Sequence, residues 1–292
     1  MPEVETVVRS LRKRLPGRRI KNVEIFDPKL AALDTERLRG RRIRAVSRSG
    51  KEIVLDLSAP RRPLWLCVHL RMTGRLLWAA TAALGERHLR ARFTLTRGAL
   101  LFYDARRFGV VRLAESPADF APPGVEILAA EFTPAKLAKL LAGSAMPLKP
   151  WLLRQDRIVG CGNIYASEVC HAAGLDPRRP AGSLTPVEIR RLHRETRRIF
   201  AKAIECGGTT IDNFMDCEGQ CGNYRSHLKV YEREGERCLR RGCPGEIARL
   251  VQAGRSTYFC PVCQTAAPIR RVSGSKPRPG PTKSRTGRRP ER

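Results

Sequence analysis

Apolar residues recur at helical spacing over residues 3–15 (EVETVVRSLRKRL), with Val4, Val7, Leu11 and Leu15 on one face. Acidic residues come early in that stretch and basic ones late, matching the helix dipole. The period then shortens. Runs at 20–26, 43–47, 53–57, 64–70, 90–95, 100–103 and 110–113 alternate or are continuously apolar, and Gly, Pro and Asp bound them. That pattern predicts strands of an antiparallel sandwich or barrel. After Pro122-Pro123 the period becomes helical, over 134–142, 150–156, 163–173 and 185–206, with a further short stretch at 210–215. From Val230 to Cys263 the chain is rich in Cys and Gly. The expected fold class is therefore α+β and multidomain. An N-terminal β-sandwich with an N-terminal helix (1–123) precedes a helical unit (124–229), a Cys-rich hairpin (230–266) and a basic disordered tail (267–292) too poor in apolar residues to bury a core.

Charge changes the picture. The 292 residues carry 56 Lys and Arg against 28 Asp and Glu, a net charge of +28. An excess of that size suits a polyanionic partner, because contacts to phosphates release condensed counterions. An arginine-rich solubilising surface is the plainer alternative. The longest apolar run, 76–84, is interrupted by Thr81 and falls far below the ~20 residues a bilayer span needs. The first twenty residues hold Glu3, Glu5, Arg9, Arg12 and Arg14 without an apolar region, so no secretory signal is expected. Both features point to the cytoplasm, where the ten cysteines favour metal binding over disulfides.

Two close cysteine pairs, Cys238-x4-Cys243 and Cys260-x2-Cys263, stand sixteen residues apart. Two knuckles on a hairpin supply the four thiolates of a tetrahedral Zn²⁺ with little backbone strain. Four protein thiolates leave no open position for chemistry, so one structural zinc is expected. Cys217-x3-Cys221 lacks a second pair.

The zinc segment runs on as Arg255-Ser-Thr-Tyr-Phe-Cys-Pro-Val-Cys-Gln264, which resembles the zinc finger of the formamidopyrimidine-DNA glycosylase family. Other segments agree in order. His69-Leu-Arg-Met-Thr-Gly74 and Asp104-Ala-Arg-Arg-Phe-Gly109 resemble two loops of that family's first domain. DRIVGCGNIYASE (156–168) is similar to its helix-two-turn-helix segment, and Gly207-Gly-Thr-Thr210 to the start of its lesion-capping region. The resemblance implies a base-excision repair enzyme and monomer of the bacterial cytosol or nucleoid. Its partner would be double-stranded DNA containing oxidised or abasic sites, with no membrane involved. It would flip and excise oxidised purines and then cleave the backbone by β,δ-elimination.

The resemblance also implies roles. Met72, Arg106 and Phe108 would fill the void left by an extruded base, with Arg106 facing the orphaned cytosine. Asn163, read as a helix N-cap, would bring free N–H groups to a phosphate. His88 and Lys149 would contact DNA, and Arg255 would bind a phosphate and serve the final elimination. Chemistry would start with an N-terminal proline amine, a usable nucleophile near neutral pH. Pro2 and Glu3 are the catalytic entries here, with Lys51 assisting. The family begins PELPEVETV after Met removal, whereas this chain begins MPEVETVV, so Pro2-Glu3 match the second Pro-Glu. A start codon placed too late, an unwound first turn, or a damaged-DNA binder that does not cut would each account for this. The pyrimidine-directed endonuclease VIII type is a further alternative.

Overall fold

The computed structural model describes residues 1–80, 87–209 and 216–264. The expected helix at 210–215 and the basic tail at 267–292 lie outside these described residues.

Helix α1 (Pro2–Arg12) begins with proline at its first turn, where no amide hydrogen is needed, and buries Val4, Val7, Val8 and Leu11. These side chains close one side of two four-stranded antiparallel sheets. The strands are β1 (Ile20–Ile25), β2 (Ala45–Ser49), β3 (Glu52–Asp56), β4 (Trp65–His69), β5 (Gly74–Ala79), β6 (Leu89–Leu95), β7 (Ala99–Asp104) and β8 (Val110–Ala114). One sheet has the order β1-β6-β7-β5 and the other β2-β3-β4-β8. Their facing residues, among them Ile53, Leu55, Leu66, Val68, Phe93 and Phe102, form one core with α1.

Two strands depart from the sequence pattern. β2 starts at Ala45 rather than 43, because Ile43 pairs its amide with Arg18 O and its carbonyl with Gly17 N. β5 was not expected, since the run 76–79 does not alternate. It is an edge strand whose outer side is covered: Trp78 N donates to Cys217 O at 2.8 Å.

Short strands β9 (Val125–Glu126) and β10 (Ile158–Val159) pair at the entry to the helical unit. The unit's helices are α2 (Pro134–Leu141), α3 (Leu148–Leu152), α4 (Asn163–Ala172) and α5 (Pro186–Glu205). Helix α5 opens on a capping box, Thr185 with Glu188, behind a proline. The core here gathers Trp151, Tyr165, Phe200 and, from the far end of the chain, Met1. Met1 thus ties the sandwich's helix into the helical unit. The last element is the hairpin β11 (Ala248–Gln252) and β12 (Arg255–Phe259), which packs against α4. Among the described residues no helix is long and apolar enough to cross a membrane.

Candidate active site

One end of the sandwich carries the turns β2–β3, β4–β5 and β7–β8. With helix α4 and the start of α1, the first two of these turns enclose a cavity of about 280 Å3. Glu3, Lys51, Met72 and Asn163, four of the expected site residues, line it together with Met1, His69, Tyr165 and Thr209.

Glu3 is the hub of the cavity floor. Its Oε1 accepts from Tyr165 OH at 2.5 Å and from Thr209 N at 3.2 Å, and its Oε2 lies 3.3 Å from the Met1 amine. Burial pushes the carboxyl pKa up, but the terminal amine and the Tyr165 hydrogen bond outweigh it and hold the group below its ordinary value. The Met1 amine also donates to Gly160 O at 3.2 Å, and burial lowers its pKa. Pro2 is buried, and its nitrogen lies in the peptide bond to Met1. The free amine beside Glu3 in this chain is therefore that of Met1.

Lys51 sits on the β2–β3 turn, where Gly50 takes a φ of +57°. A Cβ at Gly50 would fall 2.7 Å from Val159, so glycine lets this turn approach the helical unit. The turn is clamped from behind: Gly50 N donates to Glu126 Oε1 at 2.6 Å, and Arg48 bridges Glu5 and Glu126. Lys51 Nζ donates to Cys161 O at 3.0 Å. Desolvation lowers its pKa, which favours an amine able to exchange protons. Burial also depresses His69 to about 4, so it is neutral, with Nδ1 accepting from Arg71 N at 3.0 Å.

Met72, Arg106 and Phe108 come together above the cavity from two loops. Arg106 Nη1 lies 3.6 Å from Met72 Sδ, and its guanidinium carbon 4.8 Å from the Phe108 ring centre. Met72 is 72% and Phe108 49% exposed, so neither is a core residue. Buried Asp104 holds both loops. It accepts from Thr73 Oγ1, from Arg106 N at 3.2 Å and from Gly109 N at 2.6 Å. Asp27, also buried, grips Arg107 through two hydrogen bonds at 2.8 and 2.6 Å. His88 is half-buried at the same end, and its carbonyl accepts from Asp104 N at 2.9 Å.

The opposite wall corrects two expectations. Gly162, not Asn163, is the N-cap of α4, because Gly162 keeps an extended backbone and Asn163 is already helical. The Asn163 side chain instead accepts from Lys149 Nζ at 2.7 Å. Lys149 has no exposed surface and donates also to Ser256 O at 2.7 Å and Thr257 Oγ1 at 2.9 Å. It offers a phosphate nothing to touch; it bolts α4 to strand β12, and burial lowers its pKa to about 8. Arg255, exposed at the start of β12, lies in the same field, and its charge opposes protonation of both Lys51 and Lys149.

Cys238, Cys243, Cys260 and Cys263 bring their sulfurs within 4.8 Å of one another. The pairs Cys238–Cys263 and Cys243–Cys260 stand 3.7 and 3.6 Å apart. Tetrahedral Zn²⁺ with bonds of about 2.3 Å requires sulfurs roughly 3.8 Å apart, so the donor set fits zinc. Gly245 is needed in this cluster, since a Cβ there would meet Cys260 Sγ at 2.8 Å. His171 Nε2 of α4 lies 3.4 Å from Cys238 Sγ and ties the metal knuckles to the helical unit. Tyr165, Asp104, Glu126 and His171 were not expected in these roles. The first two stood inside quoted motifs; Tyr165 meets Glu3 and Thr209 far off in sequence, whereas Asp104 bonds mainly within its own motif, to Arg106 and Gly109.

Comparison with known proteins supplies the family. Residues 1–111 match the formamidopyrimidine-DNA glycosylase N-terminal domain, 124–215 its H2TH domain, and 235–266 the zinc finger found in FPG and IleRS. The formamidopyrimidine-DNA glycosylase of Pelotomaculum thermopropionicum is 42% identical over 275 residues, covering 90% of this chain and 98% of that protein. That of Chloroflexus aggregans is 42% identical with the same coverage of both chains. Among solved structures, the Lactococcus lactis Fpg in complex with abasic-site DNA superposes with a TM-score of 0.83. It is 33% identical, covering 91% of this chain and 99% of that one.

Proposed function

The chain belongs to the formamidopyrimidine-DNA glycosylase family and is a zinc-containing DNA glycosylase of base-excision repair, and from that premise we propose its substrate and its chemistry. The substrates are oxidised purines, 8-oxoguanine and formamidopyrimidines, in duplex DNA. The enzyme acts as a monomer in the bacterial cytosol, at the nucleoid. One observation carries the reading: the first residues of the chain, with Glu3, share a cavity with Lys51, and exposed Met72, Arg106 and Phe108 stand at its rim.

Extrusion of a base costs a few kcal/mol and leaves a hole. Met72 and Phe108 stand ready to fill it, and Arg106 has donors for the orphaned partner base. Removal of Met1 converts the Pro2 nitrogen into a secondary amine between the position Met1 held and Glu3, both of which line the cavity. That amine attacks C1′, the base departs with the glycosidic electron pair, and the amine proton is lost as the iminium forms. The iminium acidifies the C2′ hydrogen, so elimination breaks the 3′ phosphodiester. Glu3 protonates the sugar ring oxygen as the ring opens, and Lys51, its pKa lowered by desolvation, carries protons during elimination. Arg255 takes the departing phosphate. Asn163 and Lys149 position the wall against which that phosphate rests.

Single-turnover excision across a lesion panel tests this. Rates are expected to rank 8-oxoguanine and formamidopyrimidine above thymine glycol. The reverse order would assign the chain to the pyrimidine-directed type. A second reading, a lesion binder that does not cut, rests on the Met1 amine being tied to Glu3 and Gly160. Lesion-selective binding without any excision would support it.

A further inference from the structure

The sandwich has a second charged end. β3 and β4 pair Glu52 with His69 at the cavity end and Asp56 with Trp65 at the other, some 13 Å of strand away at about 3.3 Å per residue. In the second sheet β7 likewise ends on Asp104 at the cavity end and starts on Ala99 at the far one. At that far end Arg19, Arg41, Arg42 and Arg44 line a groove of about 730 Å3 floored by Pro16, Gly17 and Gly40. Arg61 and Arg62 stand exposed on the adjoining β3–β4 turn.

These six guanidinia form no ion pair among the described residues. Instead, carbonyls hold two of them. Arg19 Nη1 donates to Gly40 O at 3.1 Å, and Arg41 Nη1 to Arg62 O at 3.0 Å. The nearby carboxylates are otherwise engaged. Glu36 pairs with Arg39 and Glu115 with Arg37, while Asp56 accepts from Ser58 N. No acidic residue lines the groove.

The chemistry of the surface selects its partner. A protein interface draws its energy from buried aromatic and aliphatic anchors, and none of the exposed large hydrophobics lies here. Contacts to a phosphodiester backbone need charge and a concave, unobstructed face. We propose that this arginine pole binds the backbone of a second DNA duplex, without sequence preference, while the cleft holds the first. Such a molecule can pass from one duplex to another without leaving DNA.

The test uses the full chain on an immobilised duplex containing a tetrahydrofuran abasic analogue, with a fluorescent undamaged duplex as the second ligand. The loaded complex is expected to capture the fluorescent duplex. The triple variant R42S/R44S/R62S should lose that capture about tenfold or more, with retention on the bait unchanged, and R42K/R44K/R62K should keep most of it. No capture, equal capture by the serine variant, or better displacement by polyglutamate than by duplex would overturn the proposal. If the bait itself is not retained, the reading under Proposed function fails instead. The pole is then tested alone, by the salt dependence of undamaged-duplex binding by the free chain. Three lost phosphate contacts should make the slope shallower by roughly 3, and equal slopes would overturn it.

Discussion

The two walls of the cleft are built on different principles. The sandwich wall presents Met72, Arg106 and Phe108 to solvent on loops that buried carboxylates fasten from behind, Asp104 for both loops and Asp27 for Arg107. The other wall presents little that projects. Its Asn163 is locked by Lys149, Lys149 is locked by strand β12, and that strand ends in the cysteine cluster. On the proposed function, one wall is a set of probes that change contacts when a base leaves the stack, and the other is a rigid rest for the backbone. The difference predicts that changes to the second wall act through stability and DNA retention, and changes to the first through excision alone.

Removing zinc, by chelation or by Cys260→Ser, breaks the rigid wall most completely. Duplex binding at fixed salt should fall on the order of 100-fold, since metal binding is folding energy for such a knuckle pair. The sandwich should stay folded, as its core contains none of the four cysteines. Intact DNA binding by zinc-free protein would remove the rigid wall from the account.

Lys51→Met comes next. Backbone cleavage in single turnover should drop ~100-fold or more, the usual scale for losing a proton-transfer group. Lesion binding should persist, because the Lys51 side chain reaches only to Cys161 O among the described residues, and the turn is held by Glu126 and Arg48 instead. Equal losses of binding and cleavage would make Lys51 a structural residue.

Lys149 gives a pH signature. Its pKa of about 8 in the fold lies below the unfolded value. Between pH 8 and about 10.5 the unfolded chain therefore holds more protons at this site, and the contribution of Lys149 to stability rises with pH across that window. The Tm advantage of wild type over Lys149→Met should widen there, by about 1–3 kcal/mol in stability. A constant difference would mean that Lys149 is not the buried bolt described.

The smallest effect sharpens the contrast from the other side. Phe108→Ala should slow excision about tenfold, the order of one lost stacking contact, and leave Tm nearly unchanged. A core phenylalanine would cost about 3–5 kcal/mol of stability on the same change, and such a loss would refute a solvent-facing wedge.

Much of the sandwich was legible because its strands are either alternating, as β6 is, or continuously apolar, as β7 is, and glycines, prolines and aspartates bound them. β5 was not, since its run Leu76-Leu77-Trp78-Ala79 does not alternate, and the group that pairs with its outer edge, Cys217 O, is remote in sequence. The zinc site could be read from spacing alone. Asn163 and Lys149 illustrate the limit. Their residue types suggested a cap and a phosphate contact, but their partners Ser256 and Thr257 come from a hairpin about a hundred residues later. The Glu3 network likewise joins the chain's first turn to Tyr165 and Thr209, a closure no local pattern encodes.

The central claim is that the Pro2 amine, freed by loss of Met1, is a nucleophile. Borohydride trapping of this chain on a duplex with one 8-oxoguanine opposite cytosine tests it directly. The account predicts a covalent protein–DNA band whose site, mapped by mass spectrometry, is the terminal nitrogen of Pro2 in protein that has lost Met1. No band from zinc-loaded protein that retains the lesion duplex would contradict it.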